Sequence, residues 1–330
     1  HLAKAARQSP NYCFPFRLES IAILEKASEI NPSDSRAPFY LGNLLFDLQP
    51  KRALKEWERS LELDDAFWLA HRNLGMAYYR VNDNIPSAAA HYLKAISLKP
   101  DDQRLLYEID LIYAAGREDP ATRLQLLQDH HDAIAHNNVS DALSREVMLL
   151  VQLGRYTEAL KVLEENYFKQ WEGVSKAYNS YVDAHLILGW ELMKQGDFHK
   201  ALDHMKLAGE FPANMMVARP YRGGRSAEVQ YFTAKVYEAM REEELAAESY
   251  AACVAERQNL NLDGNYYYMA SGLKGAGKQL EAEEIFKQLI ALGEKRLQST
   301  EADFFAKFGE RETPDDKLSE AYYLMGLGYM

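Results

Sequence analysis

The sequence predicts an all-α fold, a right-handed superhelix of stacked helix–turn–helix repeats, and two observations predict it. The stretch His71–Pro100, HRNLGMAYYRVNDNIPSAAAHYLKAISLKP, reads as two helical patterns joined by a polar break. Its pattern of small and aromatic positions then recurs along the chain. Within the stretch, Leu74-Gly75 precedes Tyr78, and Ala88, Tyr92 and Ala95 follow the break before Pro100 stops the second helix. Small residues at Gly75, Ala88 and Ala95 let two helices approach closely, and Tyr78 and Tyr92 fill the space around that contact. Pro86 suits a helix N-terminus, so Asn82–Pro86 ends one helix and starts the next.

The elements follow in order. Ser20, Leu24, Ala27 and Pro32 repeat the spacing of Ala88, Tyr92, Ala95 and Pro100, which makes Arg17–Ile30 a second helix. Leu41-Gly42, Leu45, Ala53, Trp57 and Ser60 form a whole unit with its turn at Gln49-Pro50. Asp101–Asn137 is a degenerate unit in which Tyr107 and Leu111 mark the first helix. Val147, Leu150, Gly154, Tyr156, Ala159 and Leu163 restore the pattern, and Leu188-Gly189 through Ala208 gives the cleanest later copy. Ala234, Tyr237, Ala246, Tyr250 and Cys253 make another, and Ala270 to Leu289 the last complete one. Tyr322, Met325-Gly326 and Tyr329 open a first helix without a partner, giving a single array over residues 1–330 of about seven repeats and a half. Three inserts break the period, at 166–181, 211–225 and 293–317. Their apolar residues, Phe304, Phe305 and Phe308 among them, predict packing on the array and an extra helix around Glu301–Phe308. No single unit can bury its apolar stripe alone, so neighbours stack into one continuous core.

Composition narrows the function. The 330 residues are 47% hydrophobic and 26% charged, with ample material for a core. No run of about 18 apolar residues exists, so no membrane span is expected. A net charge of −11 argues against general binding of nucleic acid or anionic membranes. Cys13 and Cys253 are too few to form a disulfide framework, so no oxidising compartment is required, and a cytoplasmic location is favoured. The chain starts at His1 and stops within a half-repeat, which reads as a piece of a longer protein.

The unit around Leu74-Gly75, with Tyr78, Ala88, Tyr92, Ala95 and Pro100, resembles the tetratricopeptide repeat, a helix–turn–helix of roughly 34 residues. That resemblance implies first helices lining a concave inner face. YLGNLLFD (40–47), WERSLELDDAF (57–67), HRNLGMAYY (71–79) and YFKQWEG (167–173) together resemble one bacterial family over most of residues 11 to 290. Its members carry an N-terminal galactose-mutarotase-like β-sandwich domain of unassigned function before a C-terminal tetratricopeptide array. The resemblance implies that this chain is such an array, with any link to carbohydrate metabolism confined to the other half. It supplies no catalytic residues.

Several chemical motifs dissolve on inspection. Gly272–Lys278 satisfies G-x4-G-K, yet Gln279 stands where a magnesium-binding hydroxyl belongs and a helix stands where a strand is needed. Gly277 instead occupies an inter-helix turn, as Gly196 does. Asp129-His130-His131-Asp132 with His136 offers metal-ligating types without a closed ligand set, and a solvated helix end is the simpler reading. The acidic pairs Asp64-Asp65, Asp101-Asp102 and Asp315-Asp316, like Glu242–Glu244, sit near helix starts or turns, where they cap helices. No catalytic arrangement, cofactor or metal is implied.

What remains is a binding face. Asn43 follows Gly42 by one residue and Asn73 precedes Gly75 by two, the places where tetratricopeptide domains that clamp a peptide carboxylate carry Asn. The amide both donates to and accepts from a peptide backbone. Phe39, Asp102 and Leu106 replace the basic residues of such a clamp, so backbone binding by Asn43 and Asn73 is the expectation. The other inward positions are Tyr40, Arg72, Met76, Trp190, Tyr231, Lys235, Tyr267 and Lys274, a set typical of interfaces, although the aromatics serve equally well as core between repeats. Arg219, Arg222 and Arg225 flank Gly223-Gly224 and would seat an anion if not simply solvated. The sequence therefore points to a non-enzymatic scaffold whose concave face holds a peptide, a partner protein or its own N-terminal domain. The alternative is an accessory or oligomerisation domain of a carbohydrate-active enzyme. The half-repeat at Tyr322–Met330 also offers an apolar face for self-association.

Overall fold

Pro50, Pro86 and Pro120 each stand in the first turn of a helix, where a missing N–H costs nothing and a preset φ helps. Asn84, Asp102 and Asp119 cap three helix starts, their side chains accepting from the N–H groups of Ser87 (3.0 Å), Arg104 (3.1 Å) and Thr122 (3.2 Å). These signals punctuate an all-α chain. In a computed structural model the described residues are 8–11, 13–135, 141–169, 176–221, 224–256, 262–298 and 314–330, and none of them forms a strand. The expected helix around Glu301–Phe308 lies outside them, as does most of the YFKQWEG insert.

The helices pair in chain order. α1 (Ser20–Ile30) is followed by the hairpins α2 (Arg36–Leu45) with α3 (Pro50–Leu63), and α4 (Trp68–Asn82) with α5 (Ile85–Leu98). Next come α6 (Gln103–Ala115), α7 (Pro120–Asp129) and the short α8 (His131–Ala135), which make up the degenerate unit. α9 (Asp141–Gln152) and α10 (Tyr156–Glu165) precede α11 (Lys176–Lys194) with α12 (Phe198–Ala208). The last are α13 (Ser226–Met240) with α14 (Glu243–Ala255), α15 (Tyr266–Gly275) with α16 (Gln279–Gln298), and α17 (Pro314–Tyr329). The chain forms two compact units, His1–Arg145 and Glu146–Met330, with the division inside α9.

Packing follows the sequence pattern closely. A Cβ added at Gly42 would lie 2.5 Å from the Trp57 indole, and one at Gly75 would lie 2.5 Å from the Tyr92 ring. The glycine on each first helix is thus the notch that admits a large ring from the second. Trp57 and Tyr92 are fully buried there, whereas Tyr78 is half-buried and stacks on His91 at 5.3 Å. In the first unit, Asp110 is 1% exposed and receives Arg123 at 2.8 Å and also Arg145, so a buried carboxylate is balanced by two guanidiniums.

Five of the inter-helix turns share one device. The N–H groups of Glu118, Arg155, Asp197, Glu242 and Lys278 each reach back five residues to a carbonyl of the preceding helix, at 2.8–2.9 Å. The residue just before each donor has positive φ: Arg117, Gly154, Gly196, Arg241 and Gly277. Gly277, at φ +77°, therefore belongs to a helix-ending turn, and the phosphate-loop resemblance of its surroundings has no strand to support it.

In the second unit two of the irregular stretches are stitched together. Asn214, in the 3₁₀ turn Ala213–Met215, donates to the carbonyls of Leu163 (2.7 Å) and Asn166 (2.8 Å). Its own carbonyl accepts from the Phe168 N–H at 2.7 Å, and Phe168 is fully buried. α11 begins at Lys176, inside the stretch 166–181, and α16 continues through Gly293 to Gln298.

Candidate functional site

The strongest constellation lies in the first unit, on helices α2, α4 and the start of α6. Asn43 and Asn73, thirty residues apart in sequence, meet directly: Asn73 Nδ2 donates to Asn43 Oδ1 at 2.7 Å. Trp57 Nε1, which only donates, also reaches Asn43 Oδ1 at 3.0 Å and so fixes which way that amide points. The consequence is a division of labour. Asn43 Oδ1 and one Asn73 proton are spent inside the protein. The Asn43 NH₂ and the Asn73 carbonyl oxygen take no partner among the described residues.

Those two groups border a cavity of about 240 Å³ lined by Pro10, Asn11, Cys13, Phe14, Phe39, Asn43, Trp68, Leu69, Arg72, Asn73, Lys99, Asp102 and Arg104. Its charges are internally balanced. Arg72 is held by Glu108, with Nε at 2.8 Å from Oε2, and the Tyr92 hydroxyl donates to the same carboxylate at 2.9 Å. Lys99 pairs with Asp101 at 2.7 Å and Arg104 with Asp102 at 3.0 Å. Lys99 and Arg104 were not expected from the sequence, because they leave the repeat register to sit in the turn and at the second helical position after it. Their signal was the Lys-Pro-Asp-Asp-Gln-Arg run that ends α5 and caps α6.

One wall of the cavity is the chain's own N-terminal segment. The Arg36 guanidinium donates to the Gln8 carbonyl, and the Cys13 N–H closes a turn on the Pro10 carbonyl at 3.3 Å. Burial, and then the neighbouring Cys13 thiol, push the Tyr40 hydroxyl up to about 12, so it stays a neutral group at ordinary pH. Tyr40 and Met76 both rest against the edge of the core formed by Phe39, Trp57 and Leu74, and neither lines the cavity.

The remaining expected positions lie in the second unit. Trp190, Tyr231 and Tyr267 are half-buried there, and Phe232 and Tyr268 join them into an aromatic run. Trp190 meets Phe232 edge-on at 5.5 Å, Tyr231 lies 5.7 Å from Tyr268, and Tyr267 lies 6.1 Å from Phe286. Phe232 and Tyr268 carry no repeat signal of their own, because each directly follows an inward position, Tyr231 or Tyr267. Lys235 is paired with Glu238, and Lys274 is exposed near the end of α15.

Two of the three arginines of the long loop are engaged by carboxylates. Arg225 is held by Asp183 (2.6 Å), Glu228 (2.6 Å) and the Asn179 carbonyl (3.0 Å), an arrangement that joins α11 to α13. Arg219 faces Glu256 at 3.3 Å, and Arg222 lies outside the described residues. Among the described residues no three His, Cys, Asp or Glu side chains are arranged to hold a metal ion, and no helix is long and apolar enough to cross a membrane.

Comparison with known proteins places a repeat match on this part of the chain. Residues 48–103, which span α3, α4 and α5, match a tetratricopeptide repeat family model. Among solved structures, YrrB, described as a TPR protein with an unusual peptide-binding site, is 20% identical, covering 68% of this chain and 96% of that one, with a TM-score of 0.42. The Naa15/Naa10 complex bound to HypK-THB is 14% identical, with a TM-score of 0.47. There the match covers 94% of this chain and spans about half, 52%, of the matched chain. The Cut9–Hcn1 hetero-tetramer is 13% identical, covering 92% of this chain and 52% of that one, with a TM-score of 0.38. The described residues are all-α, and the tetratricopeptide match lies on residues 48–103.

Proposed function

We propose that the chain is a non-enzymatic scaffold whose first unit grips the backbone of a peptide segment over Asn43 and Asn73. One observation carries the reading. The two amides are oriented by Trp57 and by each other, and they leave one donor and one acceptor at the wall of a cavity. A peptide unit offers the complement of that pair, one C=O and one N–H. The neighbouring cations are already neutralised by Glu108, Asp101 and Asp102, which favours backbone recognition over capture of a free carboxylate. The aromatic run in the second unit supplies a second surface suited to a protein partner. The segment gripped comes from a separate protein or from another domain of the same polypeptide.

The test is an array of diverse peptides probed with the unmodified chain and with a variant carrying Asn43→Ala and Asn73→Ala. The spots bound by the unmodified chain should vanish with the variant. Its stability should fall by only about 1 kcal/mol, because both ends of the amide–amide bond leave together and Trp57 keeps the Phe39 carbonyl at 3.2 Å. Retention of the same spots by the variant removes the amides from the mechanism.

A further inference from the structure

From the way Pro10, Asn11, Cys13 and Phe14 line this groove, we infer that their segment is a resident ligand of it, and that the partner which replaces it is an uncharged, proline- and aromatic-containing segment. The inference rests on the groove being a peptide site and goes further by naming what occupies it and what chemistry displaces it.

The contacts are those of a docked peptide rather than of core structure. The segment belongs to no helix, and its turn is closed by a single backbone bond from Cys13 to Pro10. Its polar ties to the first-helix face include the Arg36 guanidinium on the Gln8 carbonyl, and the Cys13 thiol lies beside the Tyr40 hydroxyl. Almost nothing apolar is buried in return: Phe14 remains 70% exposed, and Gln8, Ser9, Asn11 and Cys13 are exposed as well. A stretch with so little burial opens locally at small cost in free energy. Meanwhile it leaves the outward groups of Asn43 and Asn73 unbonded, so a competitor that reaches them gains hydrogen bonds that the resident does not make.

The chemistry of the competitor is read from both sides of the contact. Residues 8–16, Gln-Ser-Pro-Asn-Tyr-Cys-Phe-Pro-Phe, carry no charge, and the stretch holds two prolines and three aromatic rings. The groove matches that neutrality, since Arg72, Lys99 and Arg104 are each paired with a carboxylate. A charged segment would have to break one of those pairs to enter, whereas a neutral one leaves them intact.

The experiment uses the full chain and a fluorescein-labelled copy of residues 8–16, followed by anisotropy. In a variant with Pro10→Asp, Cys13→Asp and Phe14→Asp the resident no longer fits, and the copy should bind roughly tenfold tighter than to the unmodified chain, where most sites are filled. A copy carrying the same three aspartates should not bind. Equal binding of the neutral copy to both chains, or binding to neither, overturns the inference. Because the resident does not bond the amides, binding of the copy should survive Asn43→Ala and Asn73→Ala, so this outcome is separate from the array experiment.

Discussion

The hairpin α4–α5 in the first unit and the hairpin α11–α12 in the second are built on the same internal positions and differ where they face outward. Gly75 admits Tyr92 in one, and Gly189 admits Met205 in the other. His71 meets His91 at 3.0 Å, and His185 meets His204 at 2.9 Å at the equivalent places. Counting from those glycines, however, Asn73 corresponds to Ile187 and Met76 to Trp190. Positions that hold two helices together are fixed by the geometry of their approach. Positions on the outer side of the first helix are free to become amides in one unit and aliphatic or aromatic groups in the other.

The sharpest way to break the equivalence is to fill the notch. Gly75→Ala places a methyl 2.5 Å from a fully buried Tyr92 ring and 3.1 Å from the Ala88 carbonyl oxygen. Gly189→Ala meets the Met205 terminal methyl at 2.7 Å, the flexible end of an adaptable side chain. Gly75→Ala should cost about 3 kcal/mol and Gly189→Ala about 1 kcal/mol, read as denaturant midpoints at constant m. Equal losses would mean that tyrosine and methionine notches are mechanically alike.

The same contrast explains what the sequence could and could not disclose. Gly42, Gly75, Ala88 and Ala95 were legible because a small residue at fixed spacing from a large one has a single geometric use. The glycines that end helices were legible for a similar reason. The pairing of Asn43 with Asn73 was not, since an amide in a repeat looks the same whether it faces a ligand or a neighbour. Only the donor-only indole of Trp57, placed by folding, decides how much of each amide is left over. The N-terminal segment was invisible as a ligand because it has no periodicity, and its role depends on Arg36 and Tyr40 being brought beneath it. The pairing of Arg225 was hidden for the converse reason: its carboxylate partner on α11, Asp183, is far away in sequence and close in space.

Acid gives a gentler test of the two histidine pairs. Burial, reinforced by the neighbouring His71, lowers His91 to about 4, and burial with His204 lowers His185 to about 4. His71 Nε2 faces the Asp65 carbonyl oxygen at 3.0 Å and therefore carries the proton, so Nδ1 accepts from His91. Asp65 and Lys94, paired at 2.9 Å, and Tyr78 complete the surroundings of this pair. For groups with depressed folded values the sign is fixed: the unfolded chain binds the extra protons. The stabilisation is complete above the ordinary value of 6.5 and is lost as pH falls towards about 4. Melting temperature should decline over that window in the unmodified chain, and more gently when His91→Gln and His185→Gln are combined. A slope that does not change would show that other groups carry the acid response.

The smallest effect separates backbone strain from packing at the turns. Gly196 has φ +84°, and a Cβ added there meets nothing within 4 Å. Gly196→Ala therefore changes no contact, and its expected loss of about 1 kcal/mol is the left-handed penalty alone. Arg241 occupies the same place in the α13–α14 turn at φ 64°, exposed to solvent. It already bears the penalty that Gly196 avoids. Arg241→Gly should recover that strain and return part of it through the greater freedom of an unfolded glycine, for a net gain of about 0.5 kcal/mol. Opposite signs of similar origin at the two turns, measured by thermal melting, would establish that these two hairpins share one backbone solution. A loss at Arg241→Gly would mean instead that this arginine supports the turn through its side chain, and that the second unit has departed from the repeat even where its backbone has not.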